Sequence, residues 1–180
     1  LTLNHKHYTE KQLLILCAQK KNDIGIKPWE KDIFKFISEW TNPNPYVKVS
    51  SSGSTGRRKI FKVSKQLMTN SAYITKDEFG LKKNNTALLC LPIEYIAGKM
   101  MVVRAFVIGL NLILVKPSSN PLIDLRENIN FAAMVPLQLE NSLNTGKIDL
   151  VKIIIVGGGF LSNELAENVK LIKTKIIETY

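Results

Sequence analysis

The chain has 180 residues, 45% of them hydrophobic and 22% charged, which is long enough to bury a core and too apolar for a disordered segment. Lys and Arg total 25 against 15 Asp and Glu, and the net charge of +10 favours an anionic partner. No apolar run reaches a bilayer span, no signal-peptide pattern opens the chain, and no aromatic-basic interleaving marks a nucleic-acid surface. Stable membrane insertion and nucleic-acid binding are therefore set aside, and a cytoplasmic location is expected.

His5 and His7 stand two apart near the start with no acidic or cysteine neighbour, which reads as an exposed end and no metal site. Leu13, Leu14, Leu16, Cys17 and Ala18 predict a helix capped by Thr9 and running to about Lys20. A second helix is predicted over Glu30 to Trp40, with Ile33, Phe34, Phe36, Ile37 and Trp40 on one face. The run Thr41-Asn42-Pro43-Asn44-Pro45 ends it and leads into a strand, Tyr46-Val47-Lys48-Val49. Ile60 to Val63 reads as the returning strand of a hairpin, and Ser64 as the cap of a helix reaching Thr75 or beyond.

From there strands and helices alternate. Thr86 to Leu91 is a buried strand ending at Pro92, Gly98 to Ile108 an apolar helix closed by Gly109, and Leu112 to Val115 a strand. Asn130 to Val135 is a further strand, Pro136 opens a helix, and Lys152 to Val156 runs into Gly157-Gly158-Gly159. Ser162 caps the next helix and Lys175 to Ile177 begins a last strand. The pattern predicts an α/β fold of mainly parallel sheets flanked by helices, with ligand sites at the strand carboxyl ends. Cys17 and Cys90 lie in apolar runs and read as buried free thiols of a reducing compartment.

The segment after the first long strand carries the most chemistry. Ser51-Ser52-Gly53-Ser54-Thr55-Gly56-Arg57-Arg58-Lys59 combines hydroxyls, two glycines and three cations in nine residues. Glycines bring backbone N–H groups against anionic oxygens, hydroxyls add short donors and Lys59 adds a point charge, a composition suited to a polyphosphate. It is not a Walker loop, which needs Gly-x-x-x-x-Gly-Lys followed by Ser or Thr. A hairpin turn with a solvated basic flank also accommodates these residues.

This spacing resembles the phosphate-binding signature of the adenylate-forming superfamily, Thr/Ser-Ser-Gly-Thr/Ser-Thr-Gly-x-Pro-Lys, and departs from it at Arg58, where the family usually has proline. Three later segments extend the resemblance. Leu91-Pro92-Ile93-Glu94-Tyr95-Ile96-Ala97-Gly98 is similar to the family's Leu-Pro-x-x-His-x-x-Gly, with Tyr95 in place of His, or else is only a strand end followed by a helix cap. Val135-Pro136-Leu137-Gln138-Leu139 resembles the Val-Pro-Thr-Gln-Leu of o-succinylbenzoate ligases, and Ile153 to Leu161 resembles the strand and glycine turn that pack along adenine. A dinucleotide fingerprint fails there, because it needs glycine where Ser162 stands. Glu178-Thr179-Tyr180 resembles the approach to a Tyr-Gly-x-Thr-Glu motif.

The resemblance implies a ligase that uses ATP, Mg2+ and coenzyme A, with small-molecule substrates; homo-oligomerisation stays open. It assigns phosphate binding to Ser51, Ser52, Gly53, Ser54, Thr55, Gly56 and Lys59, adenine binding to Gly157, Gly158, Gly159 and Tyr180, and the acyl pocket to Tyr95, Gly98, Lys99 and Arg104. No catalytic residue is expected before Tyr180. Residues 1–45 are read as shortened leading helices and 46–180 as a nucleotide-binding sheet, together an N-terminal piece lacking the C-terminal domain and inactive alone. The short leader, together with Lys99 and Arg104 beyond Gly98, resembles the o-succinylbenzoate-CoA ligases of menaquinone biosynthesis; a surface lysine and an acid-paired helix arginine are equally open. Another acyl-CoA synthetase, a non-catalytic nucleotide-binding module and a basic nucleic-acid-binding domain are the alternatives.

Overall fold

The structure is a computed structural model and describes residues 1–50 and 60–179. Among them the chain begins with two short strands, β1 (Thr2–Leu3) and β2 (Lys6–His7), joined by Asn4 and His5, both at positive φ (46° and 67°) as a tight hairpin requires. No element is predicted there, because two-residue strands are too short to show periodicity. His5 and His7 are exposed as expected, but the hairpin is docked: β1 runs parallel to β6 (Asn111–Leu114), and the His5 backbone N–H donates to Asn111 Oδ1 at 3.0 Å.

Helix α1 (Glu10–Asn22) starts at Thr9, whose hydroxyl accepts the Gln12 N–H, and α2 (Pro28–Thr41) starts with proline at its first position. Then comes the hairpin of β3 (Tyr46–Ser50) and β4 (Ile60–Ser64), paired from Tyr46 opposite Ser64 to Ser50 opposite Ile60. Helix α3 (Lys65–Phe79) follows at once. Ser64 holds the predicted cap position, yet its hydroxyl makes no capping bond to the N–H groups one turn in; separately, the Lys65 N–H donates to the Pro45 carbonyl at 2.9 Å, an oxygen that the hairpin brings to the helix start.

The remaining elements are β5 (Thr86–Leu89), α4 (Ile96–Ile108), β6, β7 (Ile129–Met134), α5 (Pro136–Leu143), β8 (Val151–Val156), α6 (Asn163–Asn168) and β9 (Lys175–Glu178). Strand β5 ends two residues earlier than predicted, at Leu89, whose carbonyl takes the last rung from the Val115 N–H; Cys90 and Leu91 leave the sheet. Helix α4 begins two residues earlier, at Ile96.

The main sheet runs β2-β1-β6-β5-β7-β8-β9, and every pairing except β1 with β2 is parallel. The predicted α/β fold of mainly parallel sheet and flanking helices is the one observed. After β6 the chain crosses over β5 to start β7, so the winding direction reverses between β5 and β7. Such a reversal opens a crevice at the carboxyl ends of the two strands.

Two apolar layers sandwich the sheet. Ala87, Leu89, Phe131, Ala133, Ile153 and Ile155 face α1 to α4 and β3, whereas Leu88, Cys90, Ala132, Met134, Ile154 and Val156 face α5 and α6. The alternation is the period-two consequence of strands covered on both faces. Each fully buried side chain such as Leu88 contributes about 1.5–3 kcal/mol of transfer free energy.

Candidate active site

The crevice is built from three strand ends. Leu91 to Tyr95 leave β5, Val135 and Pro136 leave β7, and Gly157 to Gly159 leave β8. Gln138, in the first turn of α5 and 4% exposed, ties the ends of β5 and β7 to the segment after β6. Its Nε2 donates to the Cys90 carbonyl at 3.0 Å and the Ser118 carbonyl at 2.8 Å, while its Oε1 accepts the Val135 N–H at 3.3 Å. The glycine turn lies beside it: a Cβ on Gly159 would stand 3.4 Å from Pro136 Cγ, and the Gly157 N–H donates to the Met134 carbonyl at 3.1 Å.

The glycine turn has a packing reason of its own. A Cβ on Gly157 would come 2.8 Å from Thr179 Oγ1, the hydroxyl that donates to the Val156 carbonyl at the end of β9. Gly158 and Gly159 are exposed, leaving their backbone open toward solvent.

Tyr95 is half-buried at the N-cap of α4, and its carbonyl accepts the Lys99 N–H at 3.1 Å. Gly98 allows a close approach: an added Cβ would sit 2.3 Å from the Pro92 carbonyl oxygen. Any side chain there drives α4 away from the loop.

Lys99 and Arg104, both predicted for the same pocket, lie on different faces of α4. Lys99 is 7% exposed and turns to α2, its Nζ 4.3 Å from the centre of the Phe36 ring. Burial pulls its pKa below the ordinary lysine value, and the carboxylates of Glu39 and Asp32 act against that shift. Arg104, 8% exposed, turns to α3 and the sheet: Nε donates to Thr75 Oγ1 at 3.2 Å and the guanidinium lies 5.6 Å from the Phe131 ring centre. Burial lowers its pKa to about 10. Among the described residues neither cation has a carboxylate within ion-pairing distance.

At the ends of β5 and β6 a cleft of about 290 Å³ is lined by Trp29, Asp32 and Ile33 of α2, by Leu91 to Glu94, and by Lys116 and Pro117. Sequence reading assigned nothing to Gln138, although its segment was singled out, and nothing to the α2 wall. The predicted phosphate-binding residues Ser51, Ser52, Gly53, Ser54, Thr55, Gly56 and Lys59, and the adenine-side Tyr180, lie outside the described residues. Among the described residues, three or more His, Cys, Asp or Glu side chains nowhere gather as a metal site, and no helix is long and apolar enough to cross a membrane.

A parallel sheet that reverses its winding, with a glycine turn and a buried glutamine at the switch point, is a doubly wound α/β fold, the class in which ligands bind at that crevice. The chain belongs to the AMP-binding enzyme family, which matches residues 10–180. It is similar, at 23% identity, to the 2-succinylbenzoate--CoA ligase of Lactococcus lactis subsp. lactis (strain IL1403), with 83% of this chain and 37% of that protein covered. An acyl-CoA synthetase (AMP-forming)/AMP-acid ligase II-like protein from Dyadobacter fermentans DSM 18053 superposes with a TM-score of 0.81 at 30% identity, covering 92% of this chain and 48% of that one. MenE from Bacillus subtilis, solved with ATP and magnesium, shares the fold at a TM-score of 0.62 and 20% identity, over 72% of this chain and 28% of that one. The chain thus spans less than half the length of these relatives.

Proposed function

We propose that the chain is the leading, nucleotide-handling part of an ATP-dependent acid–thiol ligase acting in the cytoplasm, with o-succinylbenzoate as the acid. In the first step a carboxylate oxygen attacks the α-phosphorus of ATP, forming an acyl-adenylate and releasing pyrophosphate. In the second the thiol of coenzyme A attacks the acyl carbon and AMP leaves. Such chemistry depends on positioning and on neutralising charge at phosphorus. Ser51, Ser52, Ser54, Thr55 and Lys59 hold the β- and γ-phosphates, and Gly53 and Gly56 allow close backbone approach. Magnesium enters on the polyphosphate as part of the substrate, and no residue of the chain is given to it. The exposed backbone of Gly158 and Gly159 receives the flat adenine, with Gly157 shaping the turn and Tyr180 against the ring. Residues 1–45 supply the two leading helices and also the β1–β2 edge of the main sheet, and 46–180 supply the β3–β4 hairpin and the rest of the nucleotide-binding sheet of this unit.

The observation that carries the choice of acid is the pair of buried cations on α4. Lys99 and Arg104 have no carboxylate partner among the described residues, and an uncompensated buried charge is costly unless something neutralises it. The two cations leave α4 on different faces, so a second carboxylate on the acid partners one of them, Lys99, one helical turn beyond Tyr95 and next to Gly98, while Arg104 lies on Thr75 and the Phe131 ring. The likeness to a 2-succinylbenzoate--CoA ligase supports the same choice. A broader acyl-CoA synthetase is the second reading, favoured by the higher identity to the AMP-acid ligase II-like protein.

The test is pyrophosphate release from ATP by the intact protein with o-succinylbenzoate, benzoate and a medium-chain fatty acid in parallel. Turnover selective for o-succinylbenzoate, followed by thioester on adding coenzyme A, supports the proposal. Preference for a monocarboxylate moves the chain to the second reading, and no turnover with any acid removes the ligase assignment.

A further inference from the structure

Gln138 carries a neutral amide into a site where little water reaches, and both its hydrogens and its oxygen find partners there. The oxygen serves the helix: Oε1 accepts the N–H of Val135, the N-cap residue of α5, a donor that the helix itself leaves unused. The hydrogens serve the crevice. One goes to the carbonyl of Cys90, where the chain leaves β5 for Leu91 to Tyr95, and the other to the carbonyl of Ser118, just past Lys116 and Pro117 of the cleft wall. On the acceptor side, Val135 and Pro136 bear on the glycine turn: a Cβ on Gly158 would lie 3.6 Å from Val135 Cγ1, and one on Gly159 3.4 Å from Pro136 Cγ.

A single side chain therefore bonds to the backbone on both sides of the switch point. Cys90 has a further tie, since its thiol donates to the Ala133 carbonyl at 3.3 Å and keeps the end of β5 on β7 without help from the amide. Loss of the amide thus frees the loops beyond the strand ends more than the strands. We propose that Gln138 is a positioning residue that holds the two lips of the crevice, Leu91–Tyr95 and Gly157–Gly159, at the separation a ligand requires before the ligand arrives. Its consequence for turnover rests on the ligase reading; its geometry rests on the three Gln138 bonds. A crevice that reaches this separation only part of the time binds every ligand that spans it more weakly by the same factor, and once filled reacts at the old rate.

The experiment compares Gln138→Glu, Gln138→Met and Asn141→Ala with the wild type in the intact protein, at a temperature where circular dichroism shows them folded. Gln138→Glu keeps an acceptor for the Val135 N–H and loses both donors, Gln138→Met keeps only the length of the side chain, and Asn141→Ala removes a neighbouring bond from α5 to the Ser119 carbonyl. The first readout is amide hydrogen exchange at Tyr95 and Gly157, one bonded N–H on each lip, donating to the Pro92 and Met134 carbonyls respectively; it needs no turnover. The second is pyrophosphate release, resolved into kcat and the KM values for acid and ATP. Both Gln138 variants are expected to speed exchange at both amides and to raise both KM values by about fivefold, the order of one net hydrogen bond, with kcat within about twofold. Asn141→Ala stays at wild-type values. Wild-type exchange and KM values in Gln138→Glu beside altered ones in Gln138→Met overturn the proposal, because the amide then only caps α5. Unchanged exchange on either lip overturns it too, as does a loss of kcat with both KM values unmoved, the mark of a merely structural role, or an Asn141→Ala variant that behaves like the Gln138 variants. If the wild type releases no pyrophosphate with any acid, the ligase reading fails, and exchange at Tyr95 and Gly157 alone decides whether Gln138 holds the lips.

Discussion

The side-chain amide of Gln138 donates to the Cys90 carbonyl at 3.0 Å, bridging the end of β5 and the helix that follows β7. The same nitrogen reaches Ser118 in the crossover that makes the sheet reverse. Gln138→Ala leaves the carbonyl of the buried Cys90 without this donor, and leaving a buried polar group unsatisfied costs about 1–3 kcal/mol. Urea denaturation is expected to show a loss of about 1–3 kcal/mol, with the Gly157–Gly159 turn exchanging amide hydrogens faster because its neighbour Pro136 is no longer held.

Gly98→Ala places a methyl where the Pro92 carbonyl already stands, within 2.3 Å. Backbone has to shift, and overpacking of this kind costs about 1–3 kcal/mol. The melting temperature falls and the acid KM rises more than the ATP KM, because the displaced loop carries Tyr95. Wild-type stability in this variant contradicts the close approach.

Arg104→Met tests the second buried cation. Burial holds the guanidinium pKa down to about 10, so the charged form is penalised in the folded state throughout the neutral range. Replacing it by an apolar chain of similar volume is expected to leave stability within about 1 kcal/mol of wild type, or to raise it, as found for buried charges elsewhere. Thr75 keeps its bond to the Ser71 carbonyl. Because the guanidinium lies on Thr75 and Phe131, on another face of α4 from Lys99, the ratio of pyrophosphate release with o-succinylbenzoate to release with benzoate is expected to be unchanged in this variant; a destabilisation well beyond about 3 kcal/mol would mean that an acidic side chain pairs with Arg104 after all.

Lys59→Ala removes the lysine at the end of the glycine-rich segment. Pyrophosphate release is expected to slow by at least about tenfold, the order of one charged contact to a phosphate, with an unchanged melting curve. An unaltered rate takes the segment out of the mechanism.

Cys90 is pushed up to about 12 by complete burial, from an ordinary thiol value of 9.0. A raised thiol pKa contributes stability that is complete below about pH 9 and lost as the pH climbs toward 12, since the unfolded chain ionises first. At pH 8 iodoacetamide therefore modifies Cys90 only through unfolding. Mass mapping after timed alkylation in 0 and about 6 M urea checks this, and rapid native labelling contradicts the burial.

The strands of the switch point were legible because apolar runs such as Thr86 to Leu91 and Lys152 to Val156 are what a sheet covered on both faces demands. Caps and breakers at Thr9, Gly109, Pro136 and Ser162 placed helices within a few residues. Ser64 marked the start of the next helix correctly, but whether its hydroxyl makes the capping bond is not legible in the sequence, and in the structure it makes none. The β1–β2 hairpin escaped notice because its pairing with β6 joins residues more than a hundred positions apart.

Sequence alone determined the alternation of strands and helices, and with it the parallel sheet, together with the residue types suited to a polyphosphate and a flat base. Both follow from short-range periodicity and from the chemistry of single side chains. The surroundings of Lys99 and Arg104 were decided only by tertiary structure. Their neighbours Phe36 and Phe131 come from distant segments, and the two side chains leave α4 in different directions. The bond from the Lys48 N–H to Glu39 Oε1 spans only nine residues, yet it too needs β3 to fold back against the end of α2, which neither segment's periodicity encodes.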